Sequence, residues 1–405
     1  MIDPLQAPGA PHALGQSPSL PFGTLDTTSG SVLHHLNRFV ARLGVGGSFS
    51  LLMMYTIAVL VTLLPLLVMA CLGPLSLTTP SKEHPLPFLY DWNVLFMFLV
   101  SFPCLVLFIV KDQYLLSSSL RSVQLDGTVT IAEAPATTLT IRWQRLFHIA
   151  NWSAQVLGSV VGLVVAYFNY VTYIQASVGF WISDGGRLLP VGYVYLYCIS
   201  LFYAFAPVYV IRNIAIAFFL RDIVANAQLR LLPLHPDKSG GLRPVAQIGL
   251  RNQYVLTLFG VNVVLLVAVS FRYLTVPTSL YGLIAAAIIA YLVLGPLVFV
   301  GPLLPFRAGM LRTKSELMSE VARRVRVELQ RVRAKINKEE PITKEDEELI
   351  DRLRKIGAVI DELPVWPFDA GTWRKFLTAY VIPVVGSVGY PLAKLTFEIA
   401  RARLP

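Results

Sequence analysis

His235, Asp237, Lys238, Ser239, Gly240, Gly241 and Arg243 form the densest group of chemically versatile residues in this 405-residue chain. They stand in the stretch LRLLPLHPDKSGGLRPVAQIG, residues 229–249, between two apolar runs. Pro233, Pro236 and Pro244 stop a helix from running through it, and Gly240-Gly241 allows positive φ. Backbone N–H groups at such a turn, close to a helix that resumes near Pro244, would hold a phosphate or carboxylate, with Lys238 and Arg243 flanking it. The anion would be a ligand, an anionic lipid headgroup or an acidic segment of the chain itself. The competing reading is a structural turn, in which Asp237 caps the loop and Lys238 stays in water. His235–Asp237 also spells the tripeptide of chaperone J-domains, but that domain needs a soluble helical hairpin and a preceding basic helix, and here an apolar span ends shortly upstream. The order of Lys238, Ser239 and the glycines is not that of a phosphate-binding P-loop.

Other chemistry is sparse. His235, Asp237 and His148 are too few and too scattered to predict a metal site. No nucleophile–base pair or paired carboxylates stand at a useful spacing, so the chain reads as non-enzymatic, with no cofactor. Cys71, Cys104 and Cys198 all fall in apolar blocks and read as small buried hydrophobes.

The elements that position these residues belong to a membrane protein. The chain is 55% hydrophobic and 14% charged, against roughly a quarter charged in soluble domains. The apolar residues come in continuous blocks long enough to cross about 30 Å of hydrocarbon as helices. The fold class is therefore all-α, a polytopic helical membrane protein with spans near 50–72, 89–110, 152–176, 191–211, 253–273 and 279–304, inside a transmembrane domain over 32–306. Arg38, Arg42, Lys111, Arg121, Arg142, Arg145, Arg212, Arg221, Arg230, Lys238, Arg243, Arg251, Arg307, Arg312 and Lys314 cluster in one alternate set of flanks. Lys82, Arg187 and Arg272 are alone in the other. The positive-inside rule then predicts an inner (cell) membrane protein with a cytoplasmic N-terminus. Trp92, Trp152 and Trp181 mark span ends. The Asn151-Trp152-Ser153 sequon falls on the cytoplasmic side and is discounted. A net charge of +10 is then a topology signal and does not predict nucleic acid.

Within the spans, Gly158, Gly162 and Ala166 recur at four-residue spacing, which lets another helix approach closely. The five tyrosines 193, 195, 197, 203 and 209 surround their helix and read as packing residues. Arg212 reads as an anchor that snorkels to the interface. Pro65, Pro103, Pro207, Pro296 and Pro302 interrupt spans. Such breaks serve binding sites in transporters and also occur in plain packing helices.

Outside the membrane, residues 1–31 read as a disordered tail, and 31–43 as an amphipathic surface helix. Residues 307–363 read as a cytoplasmic helical hairpin of coiled-coil character. Met318, Val321, Val325, Leu329, Val332 and Ile336 form one stripe; Leu349, Leu353, Ile356, Ile360 and Leu363 form the other. Thr343 is the expected N-cap between them. The first helix carries ten Lys and Arg against Glu316, Glu320 and Glu328, while the second is acidic. A basic helix folded on an acidic one is weighed against a basic helix that binds anionic lipid. Over 364–405, LPVWPFD makes a strap, and residues 376–392 read as a re-entrant or interfacial segment. HPDKSGGL together with WPFD resembles uncharacterised bacterial multi-spanning membrane proteins. That resemblance implies no activity, and no residue role follows from it.

Two functions are open at this point. One is a permeation path, in a homo-oligomer or alone, controlled by the hairpin and suggested by the interrupted spans. The other is a membrane-embedded sensor or scaffold whose hairpin and HPDKSGGL loop recruit a cytoplasmic partner. The lipid bilayer is a partner in both.

Overall fold

The computed structural model describes residues 27–29, 31–42, 47–73, 77–81, 84–175, 180–184, 186–231, 235–273, 278–341 and 343–402. It is built of α1 (Val32–Arg42), α2 (Gly47–Leu72), α3 (Trp92–Phe96), α4 (Phe102–Leu125), α5 (Glu133–Gln175), α6 (Pro190–Asn226), α7 (Arg243–Tyr273), α8 (Thr278–Val300), α9 (Leu304–Asn337), α10 (Lys344–Asp361) and α11 (Ala370–Ala402). Six stretches are long and apolar enough to cross a membrane: Phe49–Leu72, Trp92–Leu125, Pro135–Ile174, Pro190–Asn226, Arg243–Ser270 and Ala285–Asn337. The chain is an integral membrane protein of helical, multi-pass architecture. The expected disordered tail lies outside the described residues except at its end, where Thr27, Thr28 and Ser31 are buried.

The helices outlast the apolar blocks. α4 continues past the predicted span end at Val110, and α5 begins well before Trp152, so most of the basic connection between them is helical. These extensions carry their own apolar face. Leu120, Phe147, Phe219, Leu242, Phe306 and Phe376 belong to one buried core at this end. Met54, Phe98, Leu105, Trp181, Cys198 and Phe202 belong to another, toward the opposite end. Two minimal antiparallel ladders tie the ends: β1 (Val129–Thr130) with β4 (Gln228–Leu229), and β2 (Ser183–Asp184) with β3 (Arg187–Leu188).

Local sequence explains two departures from straight packing. Pro103 has no N–H and cannot bond the carbonyl four residues back. The chain widens there into a π-helical turn, Met97–Ser101, and the Tyr55 hydroxyl of α2 donates to the Leu99 carbonyl. A Cβ on Gly158 would come within 2.1 Å of the Ala204 oxygen, and one on Gly162 within 2.3 Å of the Ser200 oxygen. The small-residue face of α5 is thus the surface on which α6 lies.

α8 passes through a single 3-10 turn, Gly301–Leu303, directly into α9. α10 folds back along α9. Lys335 pairs with Asp346 at 2.7 Å, and Thr343 and Asp346 form a capping box. Hydrogen bonds from Lys335 and from the Thr343 backbone and hydroxyl hold the Asp346 carboxyl down at about 2. At the base, Lys314 pairs with Asp361 at 3.3 Å. The two stripes are only partly covered: Leu353, Ile360 and Leu363 are buried, whereas Leu329, Ile336 and Ile356 are exposed. α11 covers residues 376–392, where a re-entrant or interfacial segment was expected. It is one unbroken helix despite Pro383 and Pro391 and does not turn back within the described residues. It lies along α7, where Pro383 sits against Gly260 and Gly386 against Val264.

Candidate functional site

The HPDKSGG loop closes on itself. Gly240 and Gly241 take φ of +65° and +91°, and Lys238 takes +55°. The Asp237 carboxylate accepts N–H from Ser239 at 2.9 Å, from Gly241 at 3.0 Å and from Arg243 at 3.2 Å. His235 Nδ1 lies 2.7 Å from the same group. Partial burial pushes its pKa up, but these hydrogen bonds outweigh the burial and hold it below the ordinary carboxylate value. Of the two glycine N–H groups expected to cradle an external anion, that of Gly241 is occupied by Asp237 itself, which caps the start of α7. Ser239 is buried, and Lys238 and Arg243 point to solvent. Gly241 packs on Thr128, and the Arg230 N–H donates to the Thr128 oxygen at 2.8 Å. The loop thus fastens the α4–α5 turn to the segment after α6. Asp369 of WPFD does the same for α11, accepting the Thr372 N–H at 2.9 Å.

Arg212 is not a snorkelling anchor: it is 1% exposed. It donates to the Ile109 oxygen and to Thr27 Oγ1, both at 2.6 Å. Beside it Arg251 pairs with Asp112 at 3.2 Å and donates to the Phe108 oxygen at 2.7 Å. Asp112 escapes a reading that ends its span at Val110. This cluster clamps α4, α6 and α7 together near the hairpin-side end. Asn151 of the sequon is buried, donating to the Thr27 and Ser29 oxygens, so it is not open to modification.

Between this clamp and the opposite end lies a cavity of about 600 Å³, bounded by α3, α5, α6, α7 and α8. That is the size of a small-molecule site. Tyr195, Phe202, Tyr203, Phe259 and Tyr291 give it aromatic walls. Three of the five tyrosines expected merely to pack, Tyr195, Tyr203 and Tyr209, face it, while Tyr193 and Tyr197 are exposed. Tyr209 closes its hairpin-side floor, with its hydroxyl 3.2 Å from Asn252 Oδ1. Among the described residues α5 and α8 scarcely meet, and Ala286 and Ala290 at that margin are exposed, so the cavity opens sideways toward lipid.

Its polar lining divides in two. Asn169 and Thr172 donate to carbonyls one turn back in their own helix. Asn93 Oδ1, Asn262 Oδ1 and Ser270 Oγ are buried without a partner among the described residues. An unmet buried polar atom costs roughly 1–3 kcal/mol, so three around one cavity mark it as built for an occupant. Sequence reasoning passed over all three. The available signal was one amide, Asn93, in one apolar block and an amide and a hydroxyl, Asn262 and Ser270, in another. A charged group there would have drawn attention. Comparison with family models, curated proteins and solved structures finds no match to this chain.

Proposed function

We propose that the protein binds a bilayer-dissolved small molecule in this cavity and passes its occupancy to the hairpin, acting as a membrane-embedded sensor. The cavity, open to lipid and lined by residues three of which hold an unmet polar atom, carries this reading. A line of aromatic contacts joins it to the hairpin base. Tyr291 of the cavity wall stacks on Tyr380 at 5.6 Å, Tyr380 contacts Phe376 at 5.7 Å, Phe376 contacts Trp373 at 5.2 Å, and Trp373 contacts Phe368 at 5.9 Å. Phe368 contacts Trp366, over which Arg307 of α9 lies at 4.4 Å. α8 itself continues into α9. The Lys and Arg bias supports a cytoplasmic hairpin, and Leu329, Ile336 and Ile356 are exposed on it for a partner to meet.

The test is Ala290→Trp, which fills the cavity mouth. Purified wild-type protein in nanodiscs should retain a small molecule detectable by mass spectrometry. The variant should lose it and alter the spin-label distance between α10 and α5. Equal retention and an unchanged distance would sink the proposal. A permeation path is the second reading, favoured by the π-helical turn at Met97–Ser101 on the cavity wall. Solute flux in proteoliposomes that Ala290→Trp blocks would establish it; vesicles that stay tight under every gradient would exclude it.

A further inference from the structure

Resting on the cavity reading, we infer that the bound molecule is a neutral amphiphile that donates hydrogen bonds, an alcohol or amide on an apolar body, and not a phospholipid or fatty-acid anion.

Three observations carry this. First, the described residues that line the cavity include no Asp, Glu, Lys, Arg or His. An ionised headgroup drawn in from the interface would lose its water and find no countercharge. Arg212 and Arg251 are engaged with Ile109, Thr27, Asp112 and Phe108 below the Tyr209 floor, and Arg272, two residues past Ser270, is exposed.

Second, two of the three unmet atoms, Asn93 Oδ1 and Asn262 Oδ1, are amide oxygens that only accept, and the third, the Ser270 hydroxyl, can accept as well as donate. Asn262 Nδ2 donates to Ser101 Oγ at 2.6 Å and to the Leu258 oxygen at 3.0 Å. A carbonyl takes only a donor, so the amide orientation is fixed and Oδ1 is the atom left without a partner. Ser270 is unlike Thr172 or Thr257, which donate to carbonyls four residues back; its hydroxyl has no such bond. Asn93 likewise leaves an oxygen.

Third, the acceptors stand at two levels. α7 runs antiparallel to the α3–α4 segment, and Asn262 meets Ser101. Eight residues on, Ser270 comes level with Asn93, eight residues before Ser101. The two levels are about 12 Å apart along the helices. A polar end at Asn93 and Ser270 and a second polar group at Asn262 would satisfy both, with Phe202, Tyr203 and Phe259 around the apolar body.

The probe is a diazirine-bearing monoacylglycerol, photolysed with the full-length protein in phosphatidylcholine nanodiscs at pH 8. Crosslinks should map to cavity-lining peptides of α5, α7 or α8. Unlabelled monoacylglycerol should compete, whereas fatty acid and phosphatidylglycerol should not. Ser270→Ala and Asn262→Leu should each weaken competition about tenfold. Equal competition by the anionic lipids, or unchanged competition in Ser270→Ala, would overturn the ligand class and leave the cavity reading standing. Crosslinking that Ala290→Trp leaves unaltered would overturn the cavity reading itself. Should Asn262→Leu fail to fold, Ser270→Ala decides alone, since it removes only one unpartnered atom.

Discussion

The Asp237 loop and the α5–α8 cavity treat polar groups in opposite ways. In the loop a short run of charged and small residues satisfies itself, and one carboxylate collects three backbone N–H groups. In the cavity, surrounded by aromatic and aliphatic side chains, three polar atoms are left unmet. The loop gains stability from its polarity and has little left to offer a ligand. The cavity gives up stability and retains the capacity to bind. A conspicuous polar motif and a functional site are therefore different things in this molecule.

Substitutions can break or sharpen that contrast. The largest effect belongs to Gly241→Val, whose Cβ would lie 2.2 Å from Thr128 Oγ1 at a φ of +91°. Strain and overpacking together cost about 3 kcal/mol or more, read as loss of folded protein in a thermal melt. Thr128→Ala beside it should restore only the steric share. Asp237→Ala should cost about 2 kcal/mol, the loss of a cap that leaves buried N–H groups unmet. Its pH dependence has a definite sign. The folded pKa lies below the unfolded one, so the contribution is complete above about pH 4 and disappears as pH falls through the folded value. Melting temperatures of wild type and variant should therefore converge in acid. Ser270→Ala should act in the opposite direction, raising the stability of empty protein by about 1 kcal/mol, because it removes a buried group with no partner. A destabilised Ser270→Ala would mean that the hydroxyl is satisfied after all, and the contrast would fail. Lys238→Ala is the smallest change, within about 0.5 kcal/mol for an exposed side chain.

Much of the architecture was legible because it is written locally. Block length gave the six apolar crossings. Thr343 and the acidic turn after it gave the start of α10, and Gly240-Gly241 gave the positive φ pair. What escaped depends on neighbours that the local run does not name. Asn169 and Asn262 look alike in sequence; one amide is spent on its own helix and bridges nothing, the other also reaches Ser101 and leaves its oxygen open. Asp112 ends an apolar block yet faces inward because Arg251 lies across from it. Pro383 should have stopped α11, but its ring fits where Gly260 has no side chain.

The direct passage of α8 into α9 has a mechanical result. α9 is held against β4 at Gly309, where a Cβ would meet Leu229 at 2.1 Å, and again at Thr313, whose hydroxyl reaches the Leu229 oxygen at 3.5 Å. Beyond Thr313 the rest of α9 extends about 36 Å. Thr313 is then a fulcrum and the rest of α9 a lever arm: a tilt of about 5° within the bilayer swings the far tip by about 3 Å, enough to bring an exposed leucine into or out of reach of whatever docks there.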